Sequence, residues 1–78
     1  MSDLVYVTAA DCHLCEHGRG VLDELGVGRR EIAADSDEAA DLATRGIPLS
    51  FLPVLTDGDR VIAYGRLSAR RLRKELRS

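Results

Sequence analysis

The chain has 78 residues, of which 45% are hydrophobic and 31% are charged, and its formal net charge is −2 at pH 7. A chain of this length can assemble one small hydrophobic core, so we predict a single domain over residues 1–78. No apolar run approaches the roughly 20 residues that a membrane span needs, which excludes an integral membrane protein. The chain start lacks the basic and apolar regions of a secretory signal, so we expect a cytoplasmic protein.

The charge is divided unevenly along the chain. Residues 1–65 carry five arginines against twelve acidic residues, whereas residues 66–78 carry six basic residues and one glutamate. A helix face in contact with water accounts for the basic segment, and an anionic partner is the alternative. Because no aromatic residues lie among these cations, we predict no nucleic-acid partner.

The first predicted elements are a strand, a helix and a second strand. Leu4–Thr8 is a continuous β-prone run, typical of a central strand that is covered on both faces. A helix follows, with apolar residues at helical spacing up to Leu25, and Gly26 ends it in the left-handed conformation. Arg29–Ala34 is a second strand whose charged start favours the edge of a sheet.

A short helix and a β-hairpin are predicted next. Asp35–Glu38 combines a capping side chain with an acid three residues later, and Gly46 ends the helix. Asp57–Gly58 lies between two β-prone runs, residues 53–56 and 60–64, and this pattern predicts an antiparallel hairpin.

The last predicted element is a helix capped by Ser68, whose Leu72 packs against Leu67 before the cap. The element order is then βαβαββα. We therefore predict an α/β fold with a four-stranded mixed sheet and helices on both faces.

The only two cysteines, Cys12 and Cys15, lie where the first helix begins. Unpaired backbone N–H groups and the positive end of the helix dipole stabilise a thiolate at such a position. We predict that Cys12 attacks a disulfide and that Cys15, facing inward with Leu14, resolves the mixed disulfide. Protonated His13 would stabilise the Cys12 thiolate by its positive charge; the alternative is an exposed spacer with no effect on the sulfur. Asp11, on the other side, opposes ionisation of the Cys12 thiol by like-charge repulsion.

A metal site is the competing interpretation of this segment. Cys12, His13, Cys15 and His17 supply two thiolates and two imidazoles, a ligand set that suits zinc. On a helix, however, His13 points away from the side shared by Cys15. We therefore predict redox chemistry and no metal.

The order of these motifs resembles the small glutaredoxin-like proteins of the thioredoxin superfamily, from Leu4 to Leu76. The resemblance rests on the first strand, the cysteine pair, the acidic start of the second helix, and Leu52–Leu55 followed by Asp57–Gly58. It implies a thioredoxin-like fold and a thiol–disulfide oxidoreductase that acts on protein or low-molecular-weight disulfides.

The resemblance also implies a substrate-binding position at Pro53, which matches the family's cis-proline beside the cysteines; Pro48 is the rival candidate. A cis-proline leaves the backbone of the preceding residue, here Leu52, free to pair with an extended substrate. With His13, these residues form the predicted substrate-binding set. Phe51 and Leu52 are either an apolar lip beside Cys12 or core residues.

The chain departs from the glutaredoxin motifs at several places. His13-Leu14 stands where Pro-Tyr usually separates the cysteines, and Phe51-Leu52 replaces Thr-Val before the proline. Residues 64–68 correspond to the segment that holds the γ-glutamyl end of glutathione. We expect a monomer with no bound cofactor and with glutathione as a candidate reductant. The alternative is a non-catalytic module that binds a protein through Phe51, Leu52 and the basic helix.

Overall fold

A computed structural model of the protein describes residues 4–77. Its elements, in chain order, are β1 (Leu4–Thr8), α1 (His13–Glu24), β2 (Arg30–Ala33), α2 (Asp37–Thr44), β3 (Val54–Asp57), β4 (Arg60–Tyr64) and α3 (Ala69–Arg77). Each predicted element is present, with boundaries that differ by one or two residues.

The four strands form one sheet in the order β2-β1-β3-β4. β1 pairs in parallel with β2 and antiparallel with β3, and β3 pairs antiparallel with β4. The predicted central position of β1, the edge position of β2 and the mixed sheet are therefore confirmed. The predicted hairpin is also confirmed, with Gly58 at its turn in the left-handed region at φ 62°.

The sheet is covered by helices on both faces, as predicted. Successive side chains of a strand point to opposite faces, so Tyr6 and Val7 of β1 belong to different clusters. The cluster on the side of α1 and α3 contains Leu4, Tyr6, Leu22, Leu55, Leu67 and Leu72. The cluster on the side of α2 contains Val5, Val7, Ala39, Leu42, Ile47 and Val54.

Helix α1 approaches the sheet closely at Gly18. A Cβ atom at this position would overlap the Tyr6 hydroxyl and would lie 2.9 Å from Cδ1 of Leu67. The Tyr6 hydroxyl donates a hydrogen bond of 2.9 Å to the carbonyl of Cys15 in the first turn of α1. Burial raises the pKa of Tyr6 to about 12, so this donor keeps its proton.

Edge strand β2 is tied to a helix on each face of the sheet. Arg30 donates two hydrogen bonds to the carboxylate of Glu38 in α2. On the opposite face, the next residue, Glu31, accepts two hydrogen bonds from Arg19 of α1. The charged start that predicted an edge strand therefore anchors both neighbouring helices.

The cap of α2 differs from the predicted acidic capping pattern. Ser36 is the N-cap residue, and its hydroxyl accepts a hydrogen bond of 3.2 Å from the Ala39 amide. Glu38 does not fold back onto the helix start, because its carboxylate pairs with Arg30 instead.

Candidate active site

Several loops meet at one edge of the sheet. Val7 of β1 pairs with Val54 of β3, and Val54 pairs with Tyr64 of β4. The loop that leaves β1 toward Cys12, the segment that enters β3 and the segment that leaves β4 therefore all lie at this edge. The antiparallel register brings together residues that are more than fifty positions apart in the chain.

Cys12 is the N-cap residue of α1. It has an extended backbone, at φ −108° and ψ 104°, and its carbonyl accepts hydrogen bonds of 3.1 Å from Cys15 and Glu16. Its Sγ atom accepts a hydrogen bond of 3.1 Å from the Cys15 amide. The sulfur therefore lies where the helix start offers donors to negative charge.

Cys12 and Cys15 form a disulfide, with their Cα atoms 5.2 Å apart. Cys12 is partly exposed, whereas only 1% of Cys15 is accessible. An outside disulfide can therefore reach Cys12, and Cys15 contacts Cys12 from the protein side. This is the orientation that the spacing predicted.

Two side chains between the cysteines face water. The prediction that Leu14 points inward is wrong, because 39% of it is exposed. The helix turns by about 100° per residue, so burial of Cys15 directs its neighbour toward the surface. The His13 side chain is fully exposed, and its Nδ1 atom lies 4.0 Å from a carboxylate oxygen of Glu16.

Asp11 makes the turn that delivers the chain from β1 to Cys12. Its φ is 55°, in the left-handed region, which aspartate adopts more readily than most residues. The Asp11 residue is exposed to solvent. Its clearest contribution is to the backbone conformation.

The Leu52–Pro53 peptide bond is cis, as the family resemblance implied, and Pro53 is buried. The Gly65 amide donates to the carbonyls of Phe51 and Pro53, at 3.3 and 2.8 Å. Within residues 4–77, no hydrogen bond uses the Leu52 amide or carbonyl. The backbone of Leu52 is therefore available to a ligand.

An exposed aromatic pair flanks this segment. Phe51 is 63% exposed and Tyr64 is 58% exposed, and their ring centroids are 6.1 Å apart. Leu52 is half-buried and packs against the core on the α2 side. Of the two interpretations, the core position therefore applies to Leu52, whereas Phe51 is an exposed apolar residue.

Tyr64 was not among the predicted site residues. Its place could have been inferred from the hairpin, because pairing about Asp57–Gly58 puts the end of β4 opposite the start of β3. The sequence assigned Tyr64 to a β-prone run and, by the family resemblance, to the start of the segment over residues 64–68, but it did not indicate the contact with Phe51.

Within the described part of the chain, no three His, Cys, Asp or Glu side chains come together in a way that could hold a metal ion. His13 and His17 are both exposed on α1. In the same residues, no helix is long and apolar enough to cross a membrane.

No protein-family model matches the chain, and no curated protein has a significant sequence match to it. Among solved structures, it is similar to glutaredoxin 1 from Francisella tularensis, crystallised in complex with cacodylate. The TM-score is 0.63 at 14% sequence identity, over 99% of this chain and 94% of that one. The protein has a glutaredoxin-like fold. At this identity the likeness establishes the fold.

Proposed function

We propose that the protein is a thiol–disulfide oxidoreductase in which Cys12 attacks and Cys15 resolves. The observation that carries the proposal is the geometry of the pair. The Cys12 sulfur accepts the Cys15 amide at the start of α1, and Cys15 is buried behind it within disulfide distance. A helix start lowers the pKa of a thiol, and the thiolate is the attacking species.

The proposed reaction moves two electrons from the dithiol to the substrate. The Cys12 thiolate attacks one sulfur of a substrate disulfide, whose second sulfur leaves as a thiolate and takes a proton from water. Cys15 then loses its proton and attacks the Cys12 sulfur, which forms the Cys12–Cys15 disulfide and releases the second substrate thiol. An external thiol, with glutathione as the candidate, reduces the pair again.

The groups beside Pro53 support binding of an extended disulfide substrate. The unused amide and carbonyl of Leu52 can form the two backbone hydrogen bonds that a strand-like segment offers. The exposed ring of Phe51 adds an apolar contact next to them. Substrate binding by Leu52, Pro53 and His13 is part of this proposal.

Trapping of mixed disulfides tests the assignment of the two roles. The reduced Cys15→Ser variant should accumulate a covalent adduct with a disulfide substrate, because nothing displaces the substrate from Cys12. The Cys12→Ser variant, with its remaining thiol buried, should accumulate little or none. Mass spectrometry under non-reducing conditions measures both, and equal trapping by the two variants would reject the proposed roles.

Titration of the Cys12 thiolate tests its activation. In the reduced protein, ultraviolet absorbance should reveal a thiolate pKa below the ordinary cysteine value of about 8.5. The raised pKa of Tyr6, about 12, keeps that phenol from contributing to the absorbance over this range. A thiol that titrates at or above 8.5 would contradict an activated nucleophile.

A further inference from the structure

The arginines fall into two groups by their partners. The five arginines of residues 1–65 each pair with a carboxylate, at 2.5 to 3.6 Å: Arg19, Arg29, Arg30, Arg45 and Arg60. Five cations that follow β4 are exposed and have no ion-pair partner among the described residues: Arg66, Arg70, Arg71, Arg73 and Lys74. Among the side chains that the structure describes, the cations without an ion-pair partner are therefore those just before α3 and within it.

Two of these unpaired cations line a groove of about 420 Å³ between β4 and α3, here called the β4–α3 groove. Its apolar floor includes Ile62 and Leu72, and Arg66, Ser68 and Arg71 contribute polar walls. Since β4 is an edge strand, no further strand of the described chain covers it. The groove combines an apolar floor with positive charge, which suits an anionic polypeptide segment.

The groove is continuous with the cysteine edge of the sheet. Tyr64, which lines the groove, contacts the ring of Phe51. Gly65, between Tyr64 and Arg66, donates its amide to the Pro53 carbonyl. These two contacts join one end of the groove to the segment that contains Leu52 and Pro53.

At the far end of the groove, a positive and a negative side chain form an ion pair. Glu75 lines the groove there and lies 3.6 Å from Arg60, the first residue of β4. Unpaired positive charge is therefore concentrated at Arg66 and Arg71, the end nearer the cysteines. This polarity directs the anionic part of a ligand toward the end of β4 that lies at the cysteine edge of the sheet.

We propose that the β4–α3 groove binds an acidic segment of the polypeptide whose disulfide Cys12 attacks, so that protein disulfides flanked by Asp and Glu are the preferred substrates. The proposal rests on the oxidoreductase activity proposed above. The bound acidic segment gives Arg66 and Arg71 carboxylate partners, which the described part of the chain does not provide. Attraction between opposite charges also raises the rate at which the substrate and the protein associate.

The test uses three synthetic peptides of equal length, each with one cysteine activated as a pyridyl disulfide and with flanking residues that are all Glu, all Gln or all Lys. Release of thiopyridone by the reduced protein gives a rate constant for each peptide. We expect the Glu peptide to react about tenfold faster than the Gln peptide at low salt, and the Lys peptide to react slowest. This preference should shrink as salt is added.

A matched pair of variants locates the effect. Arg66→Glu/Arg71→Glu should lose or reverse the preference for the Glu peptide. Arg70→Glu/Arg73→Glu makes the same change of charge on another side of α3, where Arg73 lies beside Leu25, Val27 and Leu76. This second variant should keep most of the preference. If both variants lose it equally, general charge rather than the groove is responsible, and the proposal is overturned.

The neutral substrate 2-hydroxyethyl disulfide separates this proposal from the underlying one. If the wild-type protein does not reduce it above the uncatalysed rate, the oxidoreductase proposal fails. If it reduces this compound but treats the Glu and Gln peptides alike, only the substrate proposal fails. Binding to phosphatidylserine vesicles at physiological salt that needs Arg66 and Arg71, without any peptide preference, would instead assign the surface to lipid.

Discussion

Helices α1 and α2 begin at the same edge of the sheet and are capped in the same way. The Cys12 sulfur accepts the Cys15 amide at 3.1 Å, and the Ser36 hydroxyl accepts the Ala39 amide at 3.2 Å. Each helix is also tied to β2 by an arginine–glutamate pair with two hydrogen bonds. The two helix starts therefore share the same type of N-cap and the same type of ion pair to β2.

The two helix starts differ in the chemistry of the capping atom and in the residues that surround it. The Ser36 hydroxyl accepts the Ala39 amide and donates to the Ala33 carbonyl at 2.6 Å, and both hydrogen bonds are structural. At Cys12 the same donors bear on a sulfur that can carry charge, with a second sulfur one turn behind it. A structural cap therefore becomes a candidate catalytic centre through the identity of one atom.

The largest effect is expected from Cys12→Ser, which makes the two helix starts alike. Disulfide reduction should fall to the uncatalysed rate because the attacking sulfur is gone. The unfolding temperature should stay near that of reduced wild type because serine is a preferred N-cap residue. Activity assays and calorimetry measure the two, and a large loss of stability would show that the sulfur has a structural role that serine cannot replace.

The next largest effect is expected from Gly18→Ala, which probes how closely α1 is held against the sheet. The new Cβ would overlap the Tyr6 hydroxyl, and such overpacking costs roughly 2–3 kcal/mol in free energy of unfolding. Gly20→Ala is the control in the same helix, because nothing lies within 4 Å of its Cβ position. Urea denaturation should separate the two, and equal stabilities would contradict the close approach.

Ser36→Ala should have a smaller effect, on stability alone. It tests whether helix capping at α2 is independent of disulfide reduction. Loss of the hydroxyl removes the acceptor for the Ala39 amide and the donor to the Ala33 carbonyl, and costs about 1 kcal/mol in free energy of unfolding. Disulfide reduction should not change, because α2 contributes no reacting atom. Ser36→Asp should restore only the acceptor and therefore only part of the stability. A loss of disulfide reduction in either variant would overturn this independence.

The smallest effect concerns the ion pair that anchors α1 to β2. Hydrogen bonds from Arg19 hold the pKa of Glu31 below its ordinary value of 4.5. The pair therefore stabilises the fold fully above that pH, and its contribution disappears as the pH falls through the lowered pKa. Since the pair is partly exposed, Glu31→Gln should cost less than about 1 kcal/mol at pH 7 and nothing in acid.

Glu24→Gln is the control for this last prediction. Glu24 is exposed on α1, the helix that carries Arg19, and no described residue forms an ion pair with it. Denaturation curves of both variants from neutral to acidic pH would show the difference. A cost of Glu31→Gln that persists at the lowest pH would mean that the residue stabilises the fold by packing rather than by charge.

Some expectations from the sequence failed for a common reason. Leu14 fits an apolar spacing and was expected to be inward, yet it is exposed, because helical spacing defines a face only to within one residue at its border. The acid of the predicted α2 cap, Glu38, found a stronger partner in Arg30. In both cases a neighbouring element decided between local alternatives of similar energy.

The sequence by itself determined the seven elements, their order and the start of α1 at Cys12, because caps, glycine turns and apolar spacing act over a few residues. It also predicted that Cys12 faces outward and Cys15 inward, because Cys15 continues the apolar spacing of α1. Only the tertiary structure brought Tyr64 to Phe51 and exposed the unpaired Arg66 and Arg71 beside them. Those neighbours are set by strand register and by competition among distant carboxylates, which no local pattern records.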